Sequence, residues 1–225
     1  MDFLQTKGLE YLLAIAYLVL LVPFWRFLTG SRGPAPQPAR AVARAQDRPW
    51  FAVPDGFHFH RGHTWAREET PDLVRVGMDD FAHVLLGPVD GLDLPAPGSR
   101  ITAGENGWKV RLNGDELPIL APVSGEVAEV NADAADIFGS GRGDPYTGGW
   151  LLKVRVPSAP GVLKNLLPGN LARAWMDDES RALSTAMSPE LGTVLQDGGM
   201  PVAGLARELA GDGWRDFARR ALLTD

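Results

Sequence analysis

The chain has 225 residues, a formal net charge of −6 and 45% hydrophobic residues, enough for one sizeable core with added elements rather than two domains. Its acidic balance leaves no surplus of lysine and arginine to draw a phosphate backbone, so nucleic acid is not an expected partner. Without cysteine there is no disulfide, thiolate metal site or thiol nucleophile, and 26 glycines and 18 prolines foretell many turns and short strands.

After a short N-terminal segment, 1–8, residues 9–28 read LEYLLAIAYLVLLVPFWRFL, long enough as a helix to cross a bilayer. Charge is confined to its ends at Glu10 and Arg26, and Tyr11, Trp25 and Phe27 suit the interfaces. A cleaved leader and a buried soluble helix are the alternatives; no small-x-small cleavage site follows the apolar run at the right distance. Arg26, Arg32, Arg40, Arg44 and Arg48 follow the span against a single Asp47, which predicts a single-pass cell-membrane protein with its bulk in the cytoplasm. Residues 29–49, rich in proline, alanine and arginine, read as a linker.

From 50 to 168, short apolar runs alternate with turn signals. Strands are predicted at Leu73–Met78, Val89–Leu94, Trp108–Leu112, Glu116–Leu120, Glu126–Val130 and Trp150–Val156. Asp79 or Asp80 can cap a short helix through Phe81, Val84 and Leu85 that stops at Gly87. Asn113-Gly114 is a two-residue hairpin signal, because both central residues of a type I′ turn need positive φ. The fold class is mainly β, a flattened β-barrel or sandwich with an N-terminal transmembrane helix and a C-terminal helical extension.

Between about 57 and 167 stand, in order, His63-Thr64-Trp65, the run from Val74 to Ala82, Leu85-Leu86-Gly87, Leu92-Asp93-Leu94-Pro95, Pro122-Val123-Ser124-Gly125-Glu126-Val127, Asp144-Pro145-Tyr146 and Gly149-Trp150-Leu151-Leu152. Together these motifs resemble the glycine cleavage H proteins, a lipoyl-domain family with the single hybrid motif. The resemblance implies a lipoyl carrier whose attachment lysine lies eight positions before the proline of the Pro-Val-Ser-Gly turn. Here that position is Gly114, within Arg111-Leu112-Asn113-Gly114-Asp115. No lipoate, and no other cofactor, is therefore expected. Lys109, five residues earlier in a predicted strand, is the alternative amine.

Asn113, Gly114, Asp115, Pro122, Ser124 and Gly125 are the predicted display surface of hairpin and turn. His58, His60 and His63 are the candidate metal ligands, since i and i+2 share a strand face; the alternative is that His63 is structural and the others pack or solvate. No nucleophile–base arrangement or phosphate-cradling loop has usable spacing, so the chain is not expected to be an enzyme.

Residues 169–225 look helical, with Leu171, Trp175, Met176 and Leu183 on one stripe and Val202, Leu205, Leu209, Trp214, Phe217, Ala218 and Leu222 at helical spacing, interrupted at Asp197-Gly198-Gly199 and Gly211-Asp212-Gly213. Trp175, Trp214 and Phe217 are candidate anchors for a protein partner; the plainer reading is that the stripes cover the domain. The expected function is a membrane-anchored, non-lipoylated scaffold in a membrane-associated metabolic or redox complex, with a true lipoyl carrier and a histidine metal module as alternatives.

Overall fold

The computed structural model describes residues 16–22, 24, 49–141, 143–191 and 201–224, and the chain divides into two units, Met1–Asp47 and Arg48–Asp225. In the first, residues 16–22 and 24 are helical and exposed. Among the described residues no helix is long and apolar enough to cross a membrane. The rest of the 9–28 span lies outside the described residues, as does the 29–49 linker up to Pro49.

The second unit holds two antiparallel sheets. The larger comprises β1 (His58–His60), β2 (Thr64–Thr70), β3 (Leu73–Met78), β5 (Arg100–Ile101), β8 (Gly125–Val130), β9 (Trp150–Arg155) and β10 (Leu167–Pro168), in the order β10-β1-β2-β3-β9-β8-β5. The smaller is β4 (Gly91–Asp93), β6 (Asn106–Leu112) and β7 (Asp115–Leu120), in the order β4-β6-β7. The expected 89–94 strand is thus shortened to three residues, because Pro88 precedes it and Pro95 follows it.

Alternation assigns the faces. Val74 and Val76 of β3 and Leu152 and Val154 of β9 join Trp108, Val110 and Leu112 of β6 and Leu117 and Ile119 of β7 in one core shared by both sheets. In β2 the alternation puts Ala66 in that core and Trp65 on the other face, in a second cluster with Phe57, Phe59, Tyr146 and Ala172. The larger sheet is therefore covered on both sides at β2, whereas along β9 Leu152 and Val154 face the shared core and Lys153 and Arg155 alternate outward.

Helix α1 (Asp80–Leu86) is capped as the sequence predicts. The Asp79 side chain accepts from Ala82 N–H at 2.9 Å, and Gly87, at φ 71°, ends the helix with its N–H on the His83 carbonyl. Helices α2 (Ala134–Ser140) and α3 (Ala159–Leu163) fill connections that carried no strong periodic signal.

Helix α4 (Gly169–Leu191), α5 (Leu205–Ala210) and α6 (Trp214–Ala221) form the extension, and a single 3₁₀ turn at Gly211–Gly213 links the last two. On α4 the buried face is Ala172, Met176, Leu183 and Met187, at intervals of four, seven and four residues. Leu171 does not belong to it: one position before Ala172, it points about 100° away and is exposed. Val202 also departs from the predicted stripe, being exposed ahead of α5. The break expected at Asp197-Gly198-Gly199 lies outside the described residues.

Candidate functional site

The β6–β7 hairpin is built by two local rules. Along β6, Trp108, Val110 and Leu112 point into the core while Lys109 and Arg111 face solvent. At its end Asn113 and Gly114 turn the chain with φ of 54° and 81°, and the register closes with Leu112 opposite Asp115. Gly114 is exposed at the tip, and a Cβ there would meet no atom within 4 Å.

Beneath the hairpin, the Pro122–Gly125 turn is zipped to the 102–105 loop. Ser124 Oγ accepts from Ala103 N–H at 2.8 Å, Gly104 N–H donates to the Ala121 carbonyl at 2.9 Å, and Ala121 N–H donates to the Glu105 carbonyl at 2.8 Å. Gly125 is required by close approach, since a Cβ would lie 2.3 Å from the Arg155 carbonyl oxygen. Pro122 thus stands at the base of the hairpin, with Asn113, Gly114 and Asp115 at its far end.

Lys109 is a solvent-facing strand lysine in an ion pair. Its Nζ lies 2.6 Å from Glu116 Oε2 across the strands, and that hydrogen bond holds the ammonium above the ordinary lysine range. Lys153 of β9 is held the same way by Glu129 at 2.8 Å. Lipoate requires a free amine at an exposed turn, and the tip residues Asn113, Gly114 and Asp115 provide none, so they do not fit that group.

The three histidines have separate environments. His63, at φ 57° and fully buried, places Nδ1 3.0 Å from Asp79 Oδ2, stacks on Phe81 with centroids 3.9 Å apart, and is flanked by Trp175 at 4.8 Å. His60 Nδ1 accepts from Gly62 N–H at 3.0 Å, and His58 lies two residues back on the same strand face. Among the described residues, no three His, Asp or Glu side chains converge as a metal site would require. His63 is instead the hinge pin between β2, α1 and α4, and its neighbour Trp65 donates Nε1–H to the Met78 carbonyl at 2.8 Å.

Burial lowers the pKa of both His58 and His60 below the ordinary 6.5. The unfolded chain therefore takes up protons first, so the stability held by the neutral rings is complete above 6.5 and declines as the pH falls through and below that value. Thermal melts are expected to show a lower Tm at about pH 5.5 than at about pH 7.5, with a shallower fall in H60N, whose side-chain oxygen can still accept from Gly62. Parallel pH curves for the two proteins would remove His60 from this account.

The candidate anchors are taken up by the chain itself. Trp214 is buried, Trp175 is half-buried with Nε1–H on Glu179 at 2.9 Å, and Phe217 lines a groove of about 280 Å³ with Phe81 and Leu183. Aromatic spacing indicated that these residues pack but not against what. Three residues at the hairpin tip went unnoticed in the sequence: Asp90, whose carboxylate accepts from Asn113 N–H, and Arg207 and Arg215 of the extension. Each reaches the tip from far along the chain, which no local spacing reveals.

The glycine cleavage H-protein family model matches residues 57–179, and a second model, described only as "Protein", matches residues 2–32. The glycine cleavage system H protein of Mycobacterium tuberculosis (strain ATCC 25618 / H37Rv) is 38% identical over 107 residues, covering 48% of this chain and 80% of that protein. The one from Mycobacterium avium (strain 104) is 40% identical over 107 residues, covering 48% and 81%. Among solved structures, a glycine cleavage system H protein from Mycobacterium marinum has 30% identity and a TM-score of 0.45, covering 52% of this chain and 93% of that one. With more than half its length inside the family model and most of each relative spanned, the chain belongs to the glycine cleavage H-protein family.

Proposed function

We propose that this chain is a family member that works without lipoate, as a membrane-anchored, non-catalytic scaffold or interaction subunit of a membrane-associated metabolic or redox complex. The observation that carries the reading is the hairpin tip: a bare two-residue turn at Asn113-Gly114 stands eight residues before Pro122, and the nearest strand lysine, Lys109, is ion-paired. Acylation needs a primary amine at the tip of an exposed turn, and Asn113-Gly114 offers none, while Lys109 lies five residues back along β6 in an ion pair with Glu116. The anchor is argued from the apolar run 9–28 and the arginines after it, which would hold the β domain at the cytoplasmic face.

The relatives' name favours a second reading, a true lipoyl carrier in glycine cleavage, which requires a modified lysine somewhere in the chain. One preparation distinguishes them. Native protein, made in cells with a working lipoylation system, is expected in the carbonate-washed membrane fraction with the unmodified intact mass. A lipoyl adduct would overturn the non-carrier reading, and release by carbonate would overturn the anchor.

A further inference from the structure

Segment 201–224 lies beyond the residues matched by the family model, and it docks beside the tip. Gly204 N–H donates to the Val84 carbonyl at 2.8 Å, so close to α1 that a Cβ on Gly87 would sit 2.5 Å from Gly204 N. Leu205, Ala206, Trp214, Ala218 and Leu222 are buried against the domain. From this platform two guanidinium groups reach the turn. With the Asn113 amide turned so that its oxygen faces Arg207, that oxygen lies against the guanidinium, 2.8 Å from Nη1 and 3.0 Å from Nε and Nη2, an attraction between the amide dipole and the cation. Arg207 also lies over the Trp214 ring, 5.5 Å from its centroid, and Arg215 Nη2 pairs with Asp115 Oδ1 at 2.6 Å.

We propose that segment 201–224 is an intramolecular lock on the hairpin tip, with Arg207 and Arg215 as its positioning residues. Magnitudes decide which part holds which. Two half-exposed polar links are too weak to seat helices whose apolar side chains are buried, but they suffice to select one orientation of a two-residue turn that has solvent on its outer side. The helices therefore fix the tip, and the tip does not fix the helices. With Asp90 accepting from the Asn113 N–H as well, the turn is held from the domain side and from the extension side at once.

Hydrogen exchange of the full chain, followed by mass spectrometry, tests the asymmetry. In R207A/R215A the peptide covering 111–116 is expected to exchange at least fivefold faster, while 205–221 and the central strands 73–78 and 150–155 stay within twofold of the original. R215D alone is expected to speed the tip, and D115R added to it to bring the rate back within twofold. Unchanged tip exchange, loosening of 205–221 as large as that of the tip, or no recovery in the charge-swapped pair would each overturn the lock. None of these outcomes bears on whether the chain carries lipoate, which the intact mass reads separately.

Discussion

Replacing Gly125 by alanine is expected to lower the free energy of unfolding by about 3 kcal/mol, at the upper end of what overpacking a close-packed site costs. The added methyl would lie 2.3 Å from the Arg155 carbonyl oxygen and 2.6 Å from Val154 Cγ1. Neither neighbour can give way cheaply, because both residues sit in β9 between two hydrogen-bonded strands: Arg155 pairs with Leu73 on one side and Glu126 on the other. Relief would have to come from the Pro122–Gly125 turn, and that would pull on the loop bonds under the hairpin. Urea denaturation of purified 48–225 and its G125A variant measures the difference; a change below about 1 kcal/mol would show that the turn is not wedged against β9.

A comparable loss is expected for Asp79→Ala, by a different route. This carboxylate is fully buried and serves two donors at once, the Ala82 N–H at the start of α1 and the His63 ring at 3.0 Å. Removing it costs about 1 kcal/mol for the helix cap and about 1–3 kcal/mol for a buried ring nitrogen left without a partner. Asp79→Asn keeps an acceptor for the cap and is expected to recover roughly the capping share. Equal losses for D79A and D79N would mean that the carboxylate's charge, rather than its acceptor geometry, holds β2 to α1. Because Trp175 leans on His63, near-ultraviolet circular dichroism should register the D79A change in the α4 tryptophan.

The elements legible in the sequence are those coded by neighbours a few residues apart. Asn113-Gly114 specified its own turn, Asp79 and Gly87 marked the ends of α1, and alternation located β3, β6 and β9 within two residues. Partnership was another matter. That β3 lies against β9 rather than β4 depends on pairs as far apart in the chain as Leu73 and Arg155, and two-residue strands such as β5 and β10 carry no period at all. At the site, the bare tip could be read because one residue type was enough to recognise it. The lock could not: Arg207 and Arg215 look like ordinary charges on the outer face of a helix until the fold brings Asn113 and Asp115 beneath them.

The outer strands of the seven-stranded sheet, β10 and β5, are only two residues long, and β10 ends in Pro168, which has no N–H to offer. The smaller sheet closes with three-residue β4 on one margin and, on the other, β7 interrupted by Pro118. Another polypeptide seeking to extend either sheet finds almost no backbone ladder to continue. Edge-to-edge pairing between copies of the domain therefore has short or proline-broken margins to work with on both sheets.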